Sequence, residues 1–452
     1  NQGAGKIFYF IKTNGAANTT LTVNKSVFVS TGSLDLSQNT FSNTINIAGD
    51  GLSISSGASI TNSGSNASGT ANINFTKNGT ATYTDANASG GGLAAKPVNF
   101  AVISPCILDM STQIMGPSTG TFTLNSGAGI ITANTNATGA LTTSGTNGSI
   151  QVSGTRTFST GANYTFNGAA AQNTGNGFTG ANNLTISNSA GVTQTAAATV
   201  SGTLNFTAGK LINTSLTKIT ITGSVTNANS TRYIQGYETI NKSGTSATFD
   251  IGDASGYTPV TINYSSQTLN VTANTTSGDH AQIGTSDFNA ANTANRTWTL
   301  SGTAVTGGIT SGTFTYLAGD LDGGATPTTF SVGNYASSTW VLNTNSATTT
   351  STSFSGTTFA LGDFQCGQQN CTSGTWKGTT STDWNVGSNW CSGNVPTAST
   401  DVVIPNVTNK PVISAAHAFA KSITINASSS LTMSGAYNLS ITANGGFTNN
   451  AG

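Results

Sequence analysis

Ser422-Ile-Thr-Ile-Asn-Ala-Ser-Ser-Ser-Leu-Thr-Met-Ser-Gly-Ala-Tyr-Asn-Leu-Ser-Ile-Thr-Ala-Asn-Gly-Gly-Phe-Thr-Asn-Asn450 carries its large apolar side chains on a fixed step. Ile423, Leu431, Leu439 and Phe447 are eight residues apart, and Ile425, Met433 and Ile441 repeat that step two residues later. Each unit is apolar-x-apolar with Thr or Ser between, an alternation that puts both large side chains on one face of a short strand. Asn, Ala, Ser and Gly between the triplets suit tight turns. Strands this short cannot bury a face alone, so the pattern predicts stacking on copies of itself. Three eight-residue sides close a turn of about 24 residues rising ~4.8 Å, a parallel β-helix.

The same rhythm reaches outward through the chain. Triplets begin at Leu21/Val23 and continue through Val27/Val29, Leu34/Leu36, Ile45/Ile47, Leu52/Ile54 and Ile73/Phe75. Leu184, Val192 and Val200 restore the eight-residue spacing after a dense apolar patch over 97–110, read as a bulged turn or hydrophobic plug holding a buried Cys106 thiol. From about residue 236 the composition shifts, and seven of the fourteen acidic residues fall between Glu238 and Asp322. Longer strands joined by Gly/Asp/Asn turns there predict an antiparallel β-sandwich. The expected organisation is all-β: a parallel β-helix over 1–235, an inserted β-sandwich over 236–365, a Trp/Cys-rich cap or linker over 366–400, and a second β-helix from 401 to 452. That last segment stops in mid-repeat, which predicts continuation beyond residue 452.

Only 6% of the 452 residues are charged and the formal net charge is zero, against roughly 25% charged in an ordinary globular protein. Regular Val, Ile, Leu and Phe argue against disorder. Neutral side chains suit stacked turns, where like charges would repel. No basic cluster offers a footprint for nucleic acid or anionic lipid, and no apolar run approaches 18 residues, so no membrane span is expected. Four cysteines, three of them clustered, fit an oxidising extracellular setting.

Enzyme signals are thin. His280 and His417 have no acidic, Ser or Cys partner at a familiar spacing, and no nucleophile elbow, zinc-helix motif or phosphate loop occurs. Residues 1–235 hold only Asp35, Asp50, Asp85 and Asp109, read as solvated turn or strand-edge residues, although stacking could bring Asp50 and Asp85 onto one sheet. Asp320 and Asp322, in Ala-Gly-Asp-Leu-Asp-Gly-Gly, resemble part of a calcium loop; an ordinary β-turn is the competing reading, and no other cofactor is expected. Asp250 and Asp253 share that weakness. Trp376, Trp384 and Trp390 stand within fifteen residues, either as a cap burying against a disulfide or as a stacking surface for sugar rings. The expected disulfide joins Cys371 and Cys391, with Cys366 as the competing partner for either.

The run Trp376-x-Gly378…Asp383-Trp384…Asn389-Trp390…Gly393-x-Val-Pro396, followed by Asp401-Val-Val-Ile-Pro405, resembles the large secreted repeat adhesins of Bacteroidetes. Ile251-Gly-Asp253…Tyr257-Thr-Pro-Val, Asn295-Arg-Thr-Trp298-Thr-Leu, Asp320-Leu-Asp322 and Phe359-Ala-Leu-Gly-Asp-Phe364 are similar to modules of the same proteins. The resemblance covers roughly 240–430 and implies cell-surface filaments exported by the type IX secretion system, including the gliding-motility adhesins. It implies contact with polysaccharide or solid surfaces and with outer-membrane secretion or motility machinery, and no catalysis. The family's C-terminal sorting domain does not occur in this sequence. The expectation is a secreted, non-enzymatic surface stalk. A polysaccharide-degrading β-helix (lyase or glycoside hydrolase) and a carbohydrate-binding module on a spacer are the alternatives.

Overall fold

The computed structural model describes residues 7–9, 18–36, 42–62, 70–93, 97–265, 268–303, 307–343, 346–370, 372–391, 393–442 and 446–451. It is all-β, with 48% of residues in strands and 4% helical. The chain divides into two compact units, Asn1–Lys242 and Ser243–Gly452.

In the first unit the described strands fall into five sheets, and within each sheet every strand pairs in parallel with the one from the previous circuit. One sheet grows from Thr19–Val23 through Asn43–Ile47, Ala71–Phe75, Val98–Val102 and Phe122–Leu124 to Arg156–Phe158. Its register places Ile45, Ile73, Phe100 and Phe122 one above another, and Ile47, Phe75, Val102 and Leu124 beside them. All eight are buried, each contributing on the order of 1.5–3 kcal/mol of apolar burial. The column closes at Arg156, opposite Phe122. Its buried guanidinium donates to the Val152 and Thr142 carbonyls at 2.8 and 3.1 Å, to Thr142 Oγ1 at 2.9 Å, and to the Gly145 carbonyl. Burial lowers its pKa from the ordinary arginine value.

Outward residues of these strands, and of Asn163–Phe166 and Asn183–Ser187 in another sheet, form ladders of amides. Asn74 Nδ2 donates to Asn46 Oδ1 at 2.9 Å, Asn99 Nδ2 to Asn72 Oδ1 at 3.1 Å, and Asn183 Nδ2 to Asn163 Oδ1 at 2.8 Å. An amide is both donor and acceptor, so it repeats indefinitely up a stack where a carboxylate would repel its copy. Changing Asn46 and Asn74 together to Asp is expected to lower the unfolding midpoint at pH 7 by about 1 kcal/mol equivalent. Partial recovery near pH 3, when the carboxylates protonate, is the accompanying readout in a thermal melt.

The dense patch over 97–110 is neither bulge nor plug. Val98–Val102 is a regular strand with neighbours on both sides, Pro105 sits between it and Ile107–Asp109, and the free thiol Cys106 is buried there. Two inward-facing strands separated by one corner account for the apolar density. Of the opening apolar run over 5–11, only Ile7–Tyr9 is described, a strand parallel to Ser33–Asp35.

The second unit begins with two antiparallel sheets. One orders Thr268–Ser277, Arg296–Gly302, Gly362–Gln369, Ser331–Ala336 and Thr339–Asn343; the other orders Ser246–Phe249, Val260–Tyr264, Ile309–Thr315, Ser351–Phe359 and Ser346–Ala347. They face each other through aromatic rings: Phe314 lies 5.3 Å from Trp298 and 4.9 Å from Phe364, centroid to centroid. The segment 366–400 is no separate linker. Gly362–Gln369 completes the first of these sheets, while Thr375 and Asp383 pair in parallel with Val403 and Val412. From there three sheets recur: Asp401–Ile404 with Ser422–Ile425 and Phe447–Asn449, Val412–Ile413 with Thr432–Met433, and Ala418–Ala420 with Leu439–Ile441. Ile423 pairs with Phe447, 24 residues on.

Candidate functional site

The densest charged cluster is built around Arg296, on a strand whose other inward residues, Trp298 and Leu300, are core. The Arg296 side chain is 0% exposed. Asp320 grips it two-handed, Nε to Oδ2 at 2.7 Å and Nη2 to Oδ1 at 3.0 Å. Asp253 Oδ2 accepts from Nη1 at 3.0 Å, and Ser255, Ser277 and Thr275 hydroxyls take the remaining hydrogens. The two carboxylates raise the Arg296 pKa against the lowering effect of burial. Burial pushes Asp253 up, but hydrogen bonds from Ser255, Ser277 and Arg296, with the Arg296 charge, hold it well below the ordinary 3.8. Such a clamp ties two loops to the strand Thr268–Ser277 and leaves neither carboxylate unpaired.

The carboxylates of Asp320 and Asp322 both serve protein donors. Asp320 is spent on Arg296 and on the Leu317 amide at 2.8 Å. Asp322 accepts from the Thr293 amide at 2.8 Å and from Asn295 Nδ2 at 2.7 Å. Protein donors occupy the oxygens that a cation would need. No group of three or more potential metal ligands occurs among the described residues. Asp250 accepts from the Tyr257 hydroxyl at 2.5 Å.

His280 has an acidic partner that spacing could not show: Asp363, 83 residues away, at 3.1 Å from Nε2. The Gln282 amide donates to Nδ1 at 3.1 Å, which leaves the proton on Nε2, pointed at Asp363. Both ring nitrogens are thereby engaged, and Tyr335 and Trp340 rings pack 4.7 and 5.2 Å away. His417 Nδ1 accepts from the Asn438 amide at 3.1 Å.

In the first unit Asp50 pairs with Lys77 at 2.8 Å. Asp85 is buried and accepts from the amides of Asn87 and Gly92 at 2.9 and 3.0 Å, and Asp109 accepts from Ser111 at 2.8 Å. Asp35 is buried beside a strand end. The register Gly51↔Thr82 and Ile54↔Asp85 sets Asp50 and Asp85 four residues apart along adjacent strands, roughly 13 Å. A glycosidase pair needs about 5–10 Å.

Trp376, Trp384 and Trp390 are each 0% exposed, so no ring face is open to a sugar. Trp390 packs edge-on against both others, at 4.9 and 4.6 Å. Trp376 Nε1 donates to the Asn409 carbonyl and Trp390 Nε1 to the Trp384 carbonyl, both at 2.7 Å. The surrounding motif is explained by the same packing. Gly378 has φ +61°, and a Cβ there would sit 2.4 Å from the Asn409 carbonyl oxygen and 2.9 Å from Trp376 Nε1. Asn389 is buried with its amide saturated: Oδ1 accepts from Thr380 and Ser381, and Nδ2 donates to Ser381 Oγ and the Asp383 carbonyl, all at 2.9 Å. The tryptophans join Val402, Ile404, Ile413 and Ile423 in one core. Cys391 is disulfide-bonded, Cys366 and Cys106 are free buried thiols, and Cys371 lies outside the described residues. The Cys366 thiol pKa is pushed up by complete burial.

A family of unknown function, described as DUF8693, matches residues 375–451. Those bounds enclose the tryptophan motif together with the parallel strands that follow it. No curated protein and no solved structure matches the chain. No described helix is long and apolar enough to cross a membrane.

Proposed function

We propose that this chain is a segment of a secreted, non-enzymatic cell-surface adhesin, a stiff stalk that mediates attachment to surfaces or polysaccharide. In this reading residues 1–242 form a parallel β-helix, the two facing antiparallel sheets form a β-sandwich, and residues from 375 start a second β-helix lidded by tryptophan. The observation that carries it is the circuit-by-circuit parallel pairing over an apolar column, with neutral amide ladders outside. Hydrogen bonds then run along the stacking direction at ~4.8 Å per turn, so load is shared by every strand of a sheet. The resemblance to the Bacteroidetes gliding-motility adhesins supports export by the type IX system and a partner in outer-membrane machinery. The paired Asp253, Asp320 and Asp322 and the engagement of both His280 nitrogens favour attachment over hydrolysis.

The test is direct. Beads coated with the purified chain are expected to adhere to polysaccharide-coated glass, while the chain releases no reducing ends from mixed glycans. Glycan cleavage abolished by a single Asp→Asn change would overturn the adhesin reading.

A further inference from the structure

The second unit contains an open cleft of about 870 Å³, within the roughly 300–1,000 Å³ typical of ligand pockets. One wall comes from the facing sheets, with Ser331, Asn343, Ser355 and Gln369, and the other from the segment leading to the tryptophan core, with Thr372 and Thr397. None of its lining residues is charged, and all but Gly356 and Val395 carry a hydrogen-bonding side chain. Two acceptors in this wall are unsatisfied. Asn343, 3% exposed, donates through Nδ2 to Thr357 Oγ1 but its Oδ1 has no partner. Gln369 donates through Nε2 to Ser331 Oγ at 2.6 Å, and its Oε1 is likewise buried and without a partner. Both oxygens are shut away from solvent, so a ligand in the cleft meets the exposed hydroxyls and amides of the lining instead.

From this the geometry points to a binding cleft for a neutral oligosaccharide. A charged ligand finds no counter-ion in the cleft. A peptide offers one backbone donor per residue and needs apolar subsites for its side chains, whereas Val395 is the one apolar side chain in the lining. A polyol brings a donor at every hydroxyl and matches a wall of amides and hydroxyls. No aromatic ring occurs among the described lining residues, so discrimination rests on hydrogen-bond geometry, and many weak sites on a filament supply the avidity. The inference deepens the attachment reading, on which it rests for its biological sense.

Titration of the full chain with neutral oligosaccharides, uronic-acid oligomers of equal length and unmodified peptides tests it. Ser355→Trp and Thr372→Trp fill the cleft from opposite walls at exposed positions, and their thermal midpoints report folding. The expected result is binding of a neutral oligosaccharide that weakens at least about tenfold in each folded variant, with the uronic acids and peptides binding at least about tenfold more weakly than the neutral form. Equal glycan binding by the wild type and both variants overturns the cleft while leaving attachment through another surface intact. Absence of neutral-glycan binding, or a preference for peptide, overturns the cleft as well; bead adhesion then decides the attachment reading separately.

Discussion

Arg296→Ala is expected to cost the second unit about 3–5 kcal/mol, because it strands the carboxylates of Asp253 and Asp320 without their cation. For a unit of this size that is a fall in thermal midpoint on the order of 10 °C. Asp320→Asn combined with Asp322→Asn is expected to destabilise in the same direction at every calcium concentration, since both carboxylates serve protein donors. A wild-type midpoint that rises with calcium and a double variant that loses that rise would restore the cation-loop reading. The pH dependence follows from Asp253, whose folded pKa lies below the ordinary 3.8. Its contribution is complete above the unfolded value and is lost as the pH falls below about 4 toward the folded one. Acid melts of Asp253→Asn should therefore show a shallower loss of stability than the wild type. Equal slopes would mean that the clamp does not titrate as described.

Trp390→Ala is expected to remove about 3–5 kcal/mol from the segment 375–451. Trp390 is the middle ring of three, touches Trp376 and Trp384, and donates its indole hydrogen to the Trp384 carbonyl. With so few strands beneath it, the segment has little else to replace that burial. Gly378→Ala is expected to act in the same direction by forcing a side chain against Trp376 and the Asn409 carbonyl. Hydrogen exchange of the amides in Asp401–Ile404 and Ser422–Ile425 reads out both, with protection lost locally while the sheets of 246–369 stay protected. Unchanged protection in Trp390→Ala would show that the ring is not part of the core.

Periodicity is a local property, and it carried much of the fold into the sequence. The apolar-x-apolar triplets at Ile45/Ile47 and Ile73/Phe75 declare a strand, its buried face and its stacking partner, because each parallel neighbour repeats the same alternation. Eight-residue spacing from Ile423 to Phe447 likewise gives three sides and a partner 24 residues away. Tertiary structure alone decided what depends on residues distant in sequence. Asp320-Leu-Asp322 has the spacing of a cation loop, yet a buried guanidinium 24 residues upstream claims the first carboxylate. His280 lacks a partner in sequence and finds Asp363 across 83 residues. The tryptophans offered both a lid and a sugar platform, the lid ahead, until packing buried all three rings. The cleft between Asn343 and Thr372 left no sequence signal, since Asn, Gln, Ser and Thr are this chain's common surface residues. Which of them line the cleft is settled only when strands far apart in the chain come together.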